Sequence, residues 1–215
     1  MLIAETHMAR PERSSRMLHH TPEPRFQPQP LSLHIHQPGD PMRPLVESYI
    51  QQRYQQRFGA HLKEWLPTLV SMQANGEILA AAGYRVANDP LFLERYLAAP
   101  IEHYVHNQDA PVARNVIVEV GQFAAARPGA GRLLVPLLVR HLRQQGFNWA
   151  VSTLTSELHH LLARMGIVHQ PLSEATAEYL SEQECKDWGS YYAHAPHVFA
   201  GRLDTILDHF PESAA

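Results

Sequence analysis

A chain of 215 residues and 24.4 kDa with 45% hydrophobic residues holds enough apolar material for one medium domain, which excludes wholesale disorder. Charged residues make up only 18% and the formal net charge is -3, so the chain lacks the basic excess of an electrostatic nucleic-acid binder. The single cysteine, Cys185, excludes an internal disulfide and a cysteine-cluster metal site and fits a reducing, cytoplasmic setting.

The N-terminus lacks the ~7–15-residue apolar core of a secretory signal, and no run reaches the ~18–20 apolar residues of a membrane span. Eight of the 17 prolines precede Leu45, several within Thr21–Leu31, which predicts a flexible, extended arm over residues 1–30 and a folded domain over 31–215. Leu31, Leu33 and Ile35 alternate with Ser32, His34 and His36 as a first strand. From Pro44 the apolar residues recur at helical spacing, through Val46, Ile50, Tyr54 and Phe58, up to Gly59. Pro67–Met72 and Glu77–Val86 read as strands of a hairpin turning at Asn75-Gly76. Asp89–Ala98 is expected to be a helix with Asp89 as N-cap and Pro90 in its first turn.

Asn115–Ala125 has the composition of a strand buried on both faces. Pro128-Gly129-Ala130-Gly131 then turns into a helix over Arg132–Gln145, ended by Gly146, with Pro136 a disruption unless it lies in the first turn. Phe147–Leu154 is the next strand, Ser156–Met165 a helix capped by Ser156, and Ile167–Gln170 a further short strand. Short helices are expected after Ser173. The order predicts an α/β sandwich with a mixed sheet, and strand–Gly turn–helix–strand is a crossover whose turn lies where α/β folds place ligands.

Glu119 stands out as a carboxylate inside an apolar strand, sharing a face with Ile117 and Gly121. Desolvation raises the pKa of such a group and makes it a candidate proton acceptor; a structural ion pair or an exposed strand end is the alternative. Between Glu119 and Glu157 there is no acid but four arginines, Arg127, Arg132, Arg140 and Arg143. Arg127 and Arg132 flank the Gly turn at a helix start, where N–H groups and the helix dipole favour the phosphate of a pantetheine donor. Arg140 and Arg143 also suit a solvated helix face. The fifteen histidines include the pairs His34/His36, His103/His106, His159/His160 and His194/His197, but none has a convergent metal-ligand motif, so no metal is assigned. Cys185 has no neighbouring base and is read as inert.

Val118-Glu119-Val120-Gly121-Gln122-Phe123-Ala124, Gly129-Ala130-Gly131-Arg132-Leu133-Leu134, Gly146-Phe147-Asn148-Trp149 and Trp188-Gly189-Ser190-Tyr191-Tyr192 resemble the bacterial thermostable hemolysin family, over about Leu45 to Arg202. That family is similar to acyl-homoserine-lactone synthases. The resemblance implies the GNAT-like (GCN5-related N-acyltransferase) fold and acyl transfer from an acyl carrier protein (ACP) or CoA thioester to a small amine. Glu119–Phe123 echoes the synthases' Glu-x-Ser-Arg-Phe strand, with Gly121 and Gln122 in place of Ser and Arg. The glycines at 129 and 131 stand one position early for the acyltransferases' phosphate loop.

On this reading Glu119 is the base, and Tyr191 or Tyr192 returns a proton to the leaving thiolate. Gln122, Phe123, Ala124, Arg127, Gly129, Gly131 and Arg132 bind the donor, with backbone N–H groups around Gln122–Ala124 holding the oxyanion. No tightly bound cofactor is expected. The hemolysin name of the family implies lysis of red cells, and a cytoplasmic enzyme making a surface-active acylated product would account for that equally well. Two other readings stay open: a membrane-active lipid-binding protein, and a non-catalytic acyl-carrier-binding partner. An open cleft between the Glu119 strand and the next one favours the enzyme, a filled cleft the binding partner, and a contiguous exposed apolar surface the lytic protein.

Overall fold

The computed structural model describes residues 31–107 and 110–210, so the proline-rich arm expected over residues 1–30 lies outside the described residues. Strands β1 (Ser32–His36), β2 (Thr68–Ala74) and β3 (Glu77–Val86) form an antiparallel meander. Asn75 and Gly76, both at positive φ, close the β2–β3 hairpin as the sequence predicts. Helix α1 (Arg43–Phe58) separates β1 from β2 and ends where Gly59, at φ 67, donates to the Gln55 carbonyl. The buried Arg43 guanidinium donates to the carbonyls of His36, Leu66 and Pro67 and pairs with Glu47, tethering the start of α1 to the sheet.

The segment after β3 departs from expectation. Instead of a helix over Asp89–Ala98 there is one 3-10 turn, Phe92–Tyr96, preceded by Leu91 rather than capped by Asp89. The Glu94 carboxylate explains this: it accepts from the N–H groups of Leu91 and Ile101 and pairs with Arg114, which also pairs with Glu102. These tertiary bonds fold the segment back on itself. A small ribbon follows, β4 (His106–Asn107) against β5 (Ala110–Pro111).

Strand β6 (Ile117–Ala125) lies antiparallel to β3 and parallel to β7 (Trp149–Leu154), joined by α2 (Ala130–Gln144) in the predicted crossover. α2 starts at Ala130, two residues earlier than predicted, with Gly129 at φ 89 as N-cap, and it continues through Pro136. The carbonyl that Pro136 leaves without a helical partner belongs to Arg132, an exposed position. Helix α3 (Ser156–Arg164) is capped by Thr155, whose hydroxyl accepts from the Leu158 N–H, not by Ser156. The short strand expected at Ile167–Gln170 falls further on, as β8 (Gln170–Glu174). Helix α4 (Glu182–Trp188), the unpredicted strand β9 (His197–Arg202) and helix α5 (Leu203–Leu207) complete the chain.

The seven-stranded sheet has the order β1-β2-β3-β6-β7-β9-β8. On one face α2 buries Leu134, Leu138 and Leu142, one turn apart, against Val70, Ala80, Ala82 and Val118, with α5 beside it. Each such leucine contributes about 1.5–3 kcal/mol of burial. On the other face α1 covers β2 and β3, while the loop between β3 and β6 packs on Ile117, Trp149 and Val151.

Candidate active site

The strand carrying Glu119 has an edge that opens. β6 and β7 pair only through Ile117–Trp149, Val118–Ala150 and Glu119–Val151; beyond that the ladder stops, although both strands continue. On its other edge β6 carries a bulge, with Gln122 and Phe123 opposite Ala82 alone and Gln122 at φ 53. Hence β6 is only half-buried from Val120 to Phe123, not buried on both faces as predicted. A cavity of about 540 Å³ fills the gap, reaching Val120–Phe123 on one wall and Ser152–Thr155 on the other.

Glu119 lies at the inner end of the split, with Ile117 and Gly121 on its face, and its side chain is 9% exposed. Arg85, its cross-strand neighbour on β3, donates from Nε to Oε2 at 2.5 Å, and the Leu93 N–H donates to Oε1 at 3.3 Å. Burial is the larger influence and holds the Glu119 pKa above the ordinary carboxylate value, while Arg85 pulls it back. A buried, partly compensated carboxylate at a cavity wall combines both sequence alternatives, ion pair and candidate base.

Beside it the cavity is walled by Arg95, Tyr96, Trp188 and Tyr192. The Tyr192 and Tyr96 hydroxyls are 2.5 Å apart, and burial raises both pKa values, so each keeps its proton near neutrality. Tyr191 is more deeply buried, donates to the Thr153 carbonyl at 3.2 Å and packs on Tyr54, Phe58 and Trp188. The Trp188–Tyr192 motif therefore builds the wall from an aromatic cluster, and Tyr192 is its cavity-facing hydroxyl nearest to another polar group. Gly189 (φ 54) allows the close approach: a Cβ there would lie 2.2 Å from the Phe58 carbonyl oxygen.

The donor-binding residues expected from sequence separate into three groups. Gln122 commits its side chain to a neighbouring loop, accepting from Leu66 N–H at 3.1 Å and donating to Glu64 O at 2.8 Å, so only its backbone can face a donor. Phe123 lines the cavity and packs under Gly131, where a Cβ would come within 3.0 Å of the ring; Ala124 is buried in the core. Arg127, Gly129 and Arg132 surround a second hollow of about 440 Å³ with Leu79 and Leu133. Arg127 is exposed and 4.0 Å from Glu77. Arg143 turns inward, bonding the Phe147 carbonyl and Asn148, and so serves the helix end.

His36 is structural, bonded to Ser71 and Asp40, and among the described residues no group of three metal-ligating side chains converges. Cys185 is half-buried with its Sγ 3.7 Å from the Ala177 carbonyl. Sequence reasoning missed Arg85, Arg95 and Tyr96, because only strand register and loop packing bring them to Glu119.

The model of the thermostable hemolysin family matches residues 36–207, four-fifths of the chain. No curated protein matches the sequence. Among solved structures, the fold is similar to FeeM, an N-acyl amino acid synthase from uncultured soil microbes, at 12% identity and a TM-score of 0.57, over 85% of this chain and 95% of that one. It is similar to the AHL synthase LasI at 13% identity and 0.54, over 80% and 90%. The CoA-dependent acyl-homoserine lactone synthase MesI gives 13% and 0.54, over 86% and 97%. The fold is thus the GNAT-like mixed-sheet sandwich that the resemblance implied.

Proposed function

The chain belongs to the thermostable hemolysin family, and from that premise we propose that it is an N-acyltransferase, moving a fatty acyl group from a CoA or acyl-carrier thioester to a small amine. The observation that carries this reading is the split between β6 and β7, with a buried carboxylate at its inner end and a bulge along one wall.

In this mechanism the donor's pantetheine runs along the freed edge of Val120–Ala125 as an added strand, and its phosphate meets Arg127, Arg132 and the start of α2. Backbone N–H groups of the bulge stabilise the developing oxyanion. Glu119 takes a proton from the acceptor ammonium, the freed amine attacks the thioester carbonyl, and the C–N bond forms as the C–S bond breaks. Tyr192 protonates the departing thiolate and is restored by the second proton that the attacking nitrogen sheds as it becomes the neutral amide. Arg85 lines the cavity and uses only Nε on Glu119, which leaves its Nη groups for an anionic substituent on the acceptor.

The membrane-active alternative is not favoured, since the large exposed apolar residues of the described chain, Leu31, Met42, Leu45, Leu133, Val168 and Tyr179, are scattered from just before β1 to the segment before α4, with only Met42 and Leu45 at one helix start, and no described helix is long and apolar enough to span a bilayer. The non-catalytic alternative would be favoured by a filled cleft, and this one is open.

The test incubates the protein with acyl-CoA and acyl-ACP donors of several lengths and a panel of amines and amino acids. Thiol release and mass spectrometry of N-acyl products are the readouts. Thiol release that needs an acceptor and is lost in Glu119→Gln supports the reading; no release with any donor and acceptor refutes it.

A further inference from the structure

Beyond the split, the cavity continues under α2 and α3 among Val135, Leu138, Val139, Leu161, Leu162 and Ile167, a lining suited to a hydrocarbon chain. One residue of that wall does not fit a plain hydrocarbon. His169 lines the same cavity, and both of its ring nitrogens are out of solvent without a hydrogen-bond partner. The ring is held by packing: the edge of Phe199 meets it at 4.7 Å and 88°, and His159 meets it at 4.8 Å and 80°.

Burial, with a smaller contribution from His159, depresses its pKa, so the imidazole is neutral near pH 7 and presents one N–H donor and one lone pair. The Ile167 carbonyl is near enough to favour the proton slightly but completes no hydrogen bond with either nitrogen. A buried polar group left unpaired is costly, and native proteins pair nearly all of them. Ser152, opposite Phe199 in the β7–β9 register, adds a hydroxyl to the cavity wall.

We propose that the apolar limb of the cavity is built for an acyl chain bearing a hydroxyl group, with His169 as the residue that selects it by hydrogen bonding to that oxygen. The proposal rests on the acyltransfer reading for the identity of the chain, and on the cavity wall for the selection. It gives the imidazole a partner that an unsubstituted chain cannot supply, and a site with a buried polar group discriminates against an analogue that leaves it unpaired.

The experiment compares decanoyl chains, unsubstituted and hydroxylated at successive carbons. They are offered as free acids in calorimetry and as thioester donors in acyl transfer, to the wild type, His169→Phe and His169→Gln. For one hydroxyl position the wild type should bind and use the hydroxylated chain about tenfold better than the plain one, the gain expected from a single hydrogen bond. His169→Phe should erase or reverse that preference, and His169→Gln should retain part of it. Equal treatment of all chains by the wild type, absence of binding by any, or a preference that survives in His169→Phe overturns the proposal. Should His169→Phe fail to fold, the wild-type comparison and His169→Gln still decide. No acyl transfer with any donor would refute the acyltransferase reading alone, because the free-acid titrations measure selection without turnover.

Discussion

Replacing Arg85 by Gln isolates the opposing influences on the proposed base. The guanidinium Nε stands 2.5 Å from Glu119 Oε2. Charge centres about 4 Å apart at an effective dielectric of about 20 attract by about 4 kcal/mol, equal to about three pH units at about 1.36 kcal/mol each. Arg85 is 30% exposed, so water and salt screen part of this, and a shift of about one to two units is the expected outcome. The sign follows from the roles: burial raises the Glu119 pKa above 4.5 and Arg85 lowers it, so removing the arginine lets burial act unopposed. Glu119 must be ionised to accept a proton, and the ascending limb of kcat/KM against pH should move upward. The assay is acyl transfer from pH 5 to 10 with one donor and one acceptor that carries no anionic group for the Arg85 Nη atoms to bind, so that acceptor binding is not lost with the arginine and the acceptor's own titration cancels between variants. On that limb the Arg85→Gln enzyme should be impaired, recovering at higher pH, whereas Glu119→Gln should lose about 10²–10⁴-fold on the plateau, where the wild-type carboxylate is ionised. A limb that stays in place in folded Arg85→Gln, or an unchanged profile in Glu119→Gln, would refute the assignment.

Stability carries the same signature. With its folded pKa above the unfolded one, Glu119 contributes stability that is fully present below about pH 4.5 and lost as pH rises through the folded value. Urea melts should therefore show wild type losing ground to Glu119→Gln over that window, and a gap independent of pH would contradict it. Reversing Arg127 and Arg132 to Glu should weaken an acidic carrier-linked donor at least tenfold, with added salt imitating part of the loss, while a phosphate-free acyl-pantetheine is nearly indifferent; equal losses for both donors would move these arginines to another role. Gly189→Ala should destabilise by more than ~3 kcal/mol, since its Cβ meets a backbone carbonyl that cannot step aside, and a thermal shift within a few degrees of wild type would disprove that contact.

Most elements were legible because their signals are local. Asn75-Gly76 made the hairpin, Gly59 ended α1, and the alternation around Glu119 put it on the face of Ile117. The helix expected at Asp89–Ala98 failed because Glu94 and Arg114, twenty residues apart, outweigh local propensity. β9 was missed because Phe199–Gly201 has little alternation, and its pairing with both β7 and β8 defines it. For the site, Glu119 and the Trp188–Tyr192 run could be found from residue type and motif. Gln122 was read as facing the donor, but its amide is spent on the Glu64–Leu66 loop, a contact 56 residues away that nothing in its own segment announces.

The sequence by itself determined that this chain has an apolar strand with one carboxylate in it, a glycine turn flanked by arginines, and a crossover joining two parallel strands. Those properties follow from side-chain type and spacing within a dozen residues. Only the tertiary structure decided that β6 and β7 part after three paired residues, that Arg85 lies opposite Glu119, and that His169 faces the cavity with no partner. Register, bulges and the divergence of strands depend on what packs above and below the sheet, and that packing is the sum of contacts between segments far apart in the chain.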